Sequence, residues 1–486
     1  MWADTARVNA VSIVGCLLVL WERLAARGGS RMASSFAHFS PSKRLALAAL
    51  AVLPALFLAQ VEVLARQVAN VDLHSSAAAF AALPIPVYDG DHGRAAFDPL
   101  FSALGFGLGA FETLAVAIVV QAIRSGIEID RRAYASVGVA LALVALWAPV
   151  MSTTDPYEYV ATGLLGFGAY APAHGSLTGT IYGPIERVVP IRGVIYGPLW
   201  VLVDTVQTSF GTTIAHKILA LRLTNVALVL AFLQALRVCR VSRAAIVAVA
   251  INPFVWSYSV ANPHADISGL LLLGIASSFA RRSKVALAVL FVVAAGSIKI
   301  PFAVIGGIAL VPLSGAVRRI ALWCVAIALA VAVSYIARGH GYAHDVAKFA
   351  VAKSESNWAA GWVLMVPVVV VALSTMLAVR KGAGGIALLF DQAGPIAAPW
   401  YFYWGLPYAL ACGAGEPYLI ALPFLGALRD ETFGLSIVAK MLTLVVLSAF
   451  LVDRLPARRR ASPAAATTSC SYAAPRSKYL RLSSRR

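Results

Sequence analysis

Charge is what this chain has least of. Only 13% of its 486 residues are Asp, Glu, Lys or Arg, where soluble domains carry roughly 25%. Acids are scarcer still, 22 against 40 Lys and Arg. Cysteine is sparse and scattered: Cys16, Cys239, Cys324, Cys412 and Cys470 stand alone, with no CxxC pair. That spacing argues against a disulfide framework or a thiolate metal centre. No nucleotide-binding motif is present. A cleavable signal peptide is not expected either. Val8–Trp21 is apolar, but Asp4 precedes it and the start is not strongly basic. It reads as a short first span or an interfacial helix.

What is present is apolar sequence. Hydrophobic residues make up 60% of the chain, in runs that recur along nearly its whole length between short Arg and Lys clusters. The expected fold class is an all-α polytopic membrane protein with one integral domain. In a soluble chain the net charge of +18 would suggest nucleic acid. Here the cations suit cytoplasmic loops facing anionic lipid, and the expected partners are membrane lipids, not nucleic acid.

Those cations set a topology. Arg23, Arg27, Arg31, Lys43 and Arg44 mark a cytoplasmic stretch, and 1–44 is read as an N-terminal segment. Leu45–Ala65 crosses outward, Leu100–Ile123 returns, and Ala133–Met151 crosses outward again. Thr213–Leu236, Ala244–Ala261, Ile267–Ala280, Val285–Ile298, Ile300–Leu313, Ile320–Ala337 and Gly361–Val379 continue the alternation, with Gly384–Ala398 and Phe433–Val452 beyond. By length this gives roughly 12–14 spans within an integral domain, 45–453. Several runs are short enough for broken or re-entrant helices. Leu199–Phe210 is expected to lie in the interface. The segment 454–486 is basic without an acid and reads as a disordered cytoplasmic tail.

The alternation brings Asp155, Tyr196, His264, Lys299, Arg338 and Trp400 to one, outer, side. Thr153-Thr154-Asp155-Pro156-Tyr157-Glu158-Tyr159 follows a span directly and puts carboxylates where a lipid-borne substrate meets water. Asp155, Pro156 and Glu158 also fit a capping box at a helix start. The two roles are compatible, since a partly desolvated carboxyl can serve as a general base. The loop Gly163–Gly197 repeats Ile-Tyr-Gly-Pro, at Ile181–Pro184 and Ile195–Pro198, as turns or as the aromatic lining of a sugar-sized cleft. Arg222 sits deep in a span, where a charge is costly and paired or functional; Asp204 and His216 are candidate partners. His264 and Asp266 flank a helix entry, Asp266 as a site residue or as a plain N-cap. Lys299, Arg338, Lys348 and Lys353 are outer-side cations suited to a phosphate leaving group, or snorkelling anchors. Pro399–Trp404 is an aromatic belt or a stacking platform, with Trp400 and Tyr401 its leading residues.

Together these motifs resemble the GT-C superfamily of membrane glycosyltransferases. The chain is most similar to the polyprenyl-phosphomannose-dependent α-(1→6)-mannosyltransferases. That group's Asp-x-Tyr-x-Tyr-x-x-x-Gly stretch is matched by Asp155–Gly163, its Tyr-Gly-Pro-Leu by Tyr196–Leu199, its Asn-Pro-His-x-(Asp/Glu) by Asn262–Asp266, and its Pro-Trp-Tyr-x-x-Trp by Pro399–Trp404. Thr154 stands where the group has a basic residue, and Pro156 where it has an aliphatic one.

The resemblance implies a GT-C-like helix bundle with a periplasmic loop lobe, in a bacterial inner membrane, with the active site on the outer face. It implies an inverting transfer of a sugar, with mannose the leading candidate, from a polyprenyl-phosphate donor to a lipid- or glycan-linked acceptor. Asp155 and Glu158 would be the catalytic residues. Tyr157, Tyr159, Tyr196, Arg222, His264, Asp266, Lys299, Arg338, Trp400 and Tyr401 would bind substrate. Beyond the lipid-linked donor no cofactor is implied, and divalent-metal dependence stays open. A multi-span transporter or lipid flippase is the competing class, although no inverted repeat of the kind such proteins carry stands out.

Overall fold

The computed structural model describes residues 42–69, 99–148, 150, 155–170, 177–183, 185, 196–338, 402–412 and 415–431. The helices, in chain order, are α1 (Lys43–Ala69), α2 (Pro99–Arg124), α3 (Arg131–Trp147), α4 (Asp155–Leu165), α5 (Pro198–Thr208), α6 (Ile214–Val238), α7 (Arg243–Ala250), α8 (Pro253–Trp256), α9 (Asp266–Arg281), α10 (Val285–Gly296), α11 (Ile300–Ile305), α12 (Ala316–Arg338), α13 (Phe402–Cys412) and α14 (Gly415–Glu431). The described residues contain no strand, as the helical periodicity predicts.

Local chemistry explains where helices begin. Asp130 accepts from Arg132 N at the start of α3, Thr213 from His216 N at α6, and Ser242 from Ala245 N at α7. Each side chain satisfies one of the orphan amides that every helix start leaves. Pro198, Pro253 and Pro301 sit in the first turns of α5, α8 and α11, where the missing N–H costs nothing.

Among the described residues, four helices are long and apolar enough to cross a membrane: Lys43–Leu64, Leu104–Arg124, Ile214–Val238 and Ala316–Arg338. A fifth is possible in length only as a bent pair, Arg243–Ala250 with Pro253–Ala261, which turn by 52° at their junction. The expected single crossing Ala244–Ala261 is therefore broken. Pro253 cannot continue the hydrogen-bond ladder of α7, and Ser257–Ala261 is wound as a π-helix that stops at Asn262-Pro263. The expected crossing Ile300–Leu313 likewise divides, into α11 and a 3₁₀ turn at Gly306–Leu310. Ala133–Met151 appears as α3, which ends at Trp147. The expected spans Gly361–Val379, Gly384–Ala398 and Phe433–Val452 lie outside the described residues, as do the segments 1–41 and 432–486.

Broken helices at membrane depth must have their freed backbone groups satisfied by protein, and α6 does this. Arg222 Nε and Nη2 donate to Ala261 O at 3.0 and 2.7 Å, and Nη1 donates to Leu146 O at 2.9 Å. Asn225 Nδ2 donates to Ser259 O at 2.6 Å and to His264 O at 3.2 Å. The pairing of Arg222 with Asp204 or His216 is thus not what forms. Its charge is spent on the C-terminal carbonyls of two helical segments, where a cation complements the helix dipole.

Two hydrophobic cores result. The larger joins α1, α2 and α3 to α6–α14 through residues such as Phe57, Val119, Phe254, Phe302 and Leu419. The smaller lies at one end of the bundle, between α4, α5 and the start of α6, and is rich in aromatics: Tyr157, Tyr159, Tyr170, Tyr196 and Trp200. Helix α5 buries Trp200, Val201, Asp204, Gln207 and Thr208. Its other face leaves Leu202 and Val206 half or more exposed, a pattern that suits the interfacial placement expected for Leu199–Phe210.

Candidate active site

Two loops cross backbone to backbone at the small core. Gly197 N donates to Ile298 O at 2.7 Å and Leu199 N to Ser297 O at 3.0 Å. A Cβ at position 197 would overlap the Ser297 backbone, so only glycine permits this approach. The crossing sets Tyr196 beside Lys299. The Lys299 ammonium lies 5.4 Å from the Tyr196 ring centroid and 5.4 Å from that of Trp404, within cation–π range. It also lies 4.0 Å from Asp266 Oδ1, which accepts from Trp404 Nε1 at 2.6 Å. Asp266 is therefore not a plain N-cap. Ala265 holds the cap position, and the Asp266 carboxylate joins an indole and a lysine.

Helix α4 supplies the carboxyls. A side chain at Gly163 would strike Asp204 O and Thr208 Oγ1, so the missing Cβ lets α4 and α5 pack closely. Asp155 opens α4. Its Oδ2 accepts from Tyr196 OH at 3.4 Å and stands 3.3 Å from His264 Nδ1. Tyr159 OH donates in turn to Tyr196 OH at 3.2 Å. The Tyr159 ring meets Tyr196 and Trp200 edge-on, with centroids 5.1 and 5.2 Å apart. Tyr170 OH donates to Tyr196 O at 3.1 Å, and its ring lies 4.1 Å under the Arg338 guanidinium. One chain of contacts thus runs from Arg338 through Tyr170, Tyr196 and Asp155 to His264.

The electrostatics separate the two acids. Burial, with the Asp155 charge adding to it and Lys299 opposing, pushes the Glu158 carboxyl up to about 8, so Glu158 holds its proton at neutral pH. Burial and the Asp155 charge hold the Tyr159 and Tyr196 phenols far above the usual range, so both remain hydrogen-bond donors. Asp155 keeps a side-chain exposure of 19% and accepts from one of those donors. It is partly open to solvent and within reach of an incoming hydroxyl.

The structure brings Asp155, Glu158, Tyr159, Tyr196, His264, Asp266, Lys299 and Arg338 into this one neighbourhood. Tyr157 is buried behind it, near the Arg222 guanidinium, and Arg222 acts on backbone, as described above. Trp400 and Tyr401 lie outside the described residues. Three contributors escaped the sequence reading. Trp404 was visible only as the last residue of an aromatic run, Trp200 only as the residue after Tyr-Gly-Pro-Leu, and Tyr170 carried no signal. Among the described residues, no group of three or more His, Cys, Asp or Glu could hold a metal ion.

Comparisons with curated proteins and with solved structures gave no match. A family model does match, over residues 94–315, just under half of the chain; its description is alpha-(1->6)-mannopyranosyltransferase, N-terminal domain. The matched stretch contains every residue of the cluster except Arg338 and Trp404. It supports glycosyltransferase activity. The resemblance drawn from the motifs is supported over this stretch: residues 94–315 are similar to the N-terminal domain of the alpha-(1->6)-mannopyranosyltransferases.

Proposed function

We propose that the chain is an inverting transferase that moves mannose from a polyprenyl-phosphate donor to a hydroxyl of a lipid- or glycan-linked acceptor. The reaction takes place at the outer face of a bacterial inner membrane. The observation that carries the reading is the Asp155 carboxylate, held between Tyr196 and His264 beside an aromatic cluster, with buried cations nearby. A phosphodiester-linked sugar needs a base at the acceptor and positive charge at the leaving group.

Asp155 takes the proton from the acceptor hydroxyl. The acceptor oxygen forms its bond to the anomeric carbon from the face opposite the phosphate. The bond between that carbon and the phosphate oxygen breaks, and its electron pair leaves with polyprenyl phosphate. Lys299 and Arg338 offset the charge that develops there. Lys299 is held in place by two rings and Asp266, so little ordering is needed at the moment of reaction. Glu158 keeps its proton and donates a hydrogen bond to a sugar oxygen.

The test is transfer from radiolabelled polyprenyl-phosphate sugars to glycolipid acceptors in membranes. Asp155→Asn should lower turnover by about a hundredfold or more, while membrane abundance and melting temperature stay near wild type. Full activity in a stable Asp155→Asn protein would remove Asp155 as the base. If Glu158→Gln alone abolishes transfer, the base moves one helical turn along.

A further inference from the structure

The inward face of α5 holds more hydrogen-bonding capacity than the fold uses. Trp200, Asp204 and Gln207 are spaced four and three residues apart and share one face of the helix. They are 1%, 0% and 4% exposed. Trp200 Nε1, both Asp204 carboxyl oxygens, and the Gln207 Nε2 and Oε1 all lack a hydrogen-bond partner. Thr208, one residue on, is different: its hydroxyl donates to Asp204 O at 2.8 Å. Five orphaned atoms in a row on one helix face are not expected by chance. Each buried unsatisfied group costs about 1–3 kcal/mol, and native proteins leave few such groups.

The row adjoins the site. Trp200 packs edge-on against Tyr159, which is hydrogen-bonded to Tyr196 and through it to Asp155. Gly163 brings α4 against α5 at Asp204. An indole N–H, a carboxyl and a carboxamide offer donors and acceptors along about two helical turns. A hexopyranose ring presents hydroxyls that both donate and accept, over a comparable length. Helix ends, metals and phosphate would want other groups: a run of acceptors or of cations.

We infer that the Trp200–Asp204–Gln207 face of α5 is a hydroxyl-binding subsite for a hexopyranose ring of one of the two substrates. It deepens the transferase reading and rests on it for the assignment to donor or acceptor. A site built to hydrogen-bond hydroxyls discriminates strongly, because a ligand lacking them leaves these groups unpaired.

Two measurements on the purified full-length protein test this. In the first, steady-state transfer is compared for wild type, Gln207→Ala, Asp204→Asn and Trp200→Phe, the last keeping the ring and losing only the N–H. The expected result is a rise of about tenfold in one substrate's KM, with kcat changed much less. A rise for the polyprenyl-phosphate sugar assigns the donor ring, and a rise for the glycolipid assigns the acceptor ring. Unchanged KM for both substrates in Gln207→Ala and Trp200→Phe would overturn the subsite.

In the second, the melting temperature is followed as methyl α-mannopyranoside or an α-linked mannobiose is added. Wild type should be stabilised and the variants should not. No sugar-dependent shift in wild type, or equal shifts in wild type and variants, would overturn the subsite. This second measurement does not depend on turnover. A chain that binds sugar through α5 and transfers none would refute the transferase reading and keep the subsite.

Discussion

The two cores treat buried polar groups in opposite ways. In the large bundle, Arg222, Asn225 and Asn252 each spend their donors on main-chain carbonyls: of Ala261 and Leu146, of Ser259 and His264, and of Leu419. Their work is to hold a helix pair that bends by 52°. In the small aromatic core, Tyr159, Tyr196 and Asp155 address one another, while Trp200, Asp204 and Gln207 on α5 have side-chain atoms with no hydrogen-bond partner. Polar groups in the bundle repair the backbone. Those on α5 hold hydrogen-bonding capacity that the fold leaves unused. Position at membrane depth alone, which first singled out Arg222, does not tell the two uses apart.

The contrast is sharpest between two substitutions. Asp155→Asn should remove activity by about a hundredfold or more and leave stability intact. Arg222→Met should do the reverse. It strips hydrogen bonds from two buried carbonyl groups, each worth about 1–3 kcal/mol when left unsatisfied, and should lower the melting temperature of the detergent-solubilised protein markedly. Residual activity should track the folded fraction. An Arg222→Met protein that melts like wild type but fails to turn over would break the comparison and move Arg222 into the site.

A smaller effect is expected at the cations. Lys299→Ala or Arg338→Ala removes a charge-assisted contact worth about 1.5–3 kcal/mol, so kcat/KM for the lipid-linked donor should fall roughly tenfold to a hundredfold. Unchanged donor kinetics in both variants would take these residues out of phosphate binding and leave them as braces for Tyr196, Trp404 and Tyr170.

The smallest effect concerns pH. Because the Glu158 carboxyl is pushed up to about 8, the folded protein binds a proton there that the unfolded chain releases above an ordinary carboxyl value of about 4.3. Stability should therefore fall as pH rises between those two values, and the loss should be complete above about pH 8. Glu158→Gln cannot ionise and should flatten that slope, as read from melting temperatures between about pH 5 and pH 9. A wild-type protein whose stability rises across this range would contradict the buried, protonated Glu158.

Much of the class and some of the site were legible in residue order. Scarce charge and long apolar runs mark a helical membrane protein without any tertiary information, because the bilayer forces backbone bonds to close within helices. Asp155, Tyr196, His264, Asp266 and Lys299 were reachable because each stands next to a turn former or helix start. Their mutual geometry was not. Asp155 and His264 meet only because α6 holds the chain after the π-helical stretch, and Tyr196 meets Lys299 only because Gly197 lets two distant loops cross. The partners of Arg222 were misjudged for the same reason: carbonyls released by a helix break leave no trace in side-chain chemistry. The α5 row was hidden more simply: Asp204 stands out in the sequence only as a candidate partner of Arg222, and Gln207 carries no signal.

That segment is inverted relative to a surface helix of a soluble protein. Its polar face looks inward, and Leu202 and Val206 look out. A helix of this kind is floated by the hydrocarbon boundary and cannot be moved vertically without wetting its greasy side or burying its hydrophilic one. In the interfacial placement proposed for α5, the bilayer would act as a spirit level, fixing Trp200, Asp204 and Gln207 at one depth. A lipid-anchored sugar is held at a depth set by the same boundary. Thickness and headgroup composition of the surrounding membrane should therefore tune the alignment of this helix face with a lipid-borne sugar, with no change in any residue of the chain.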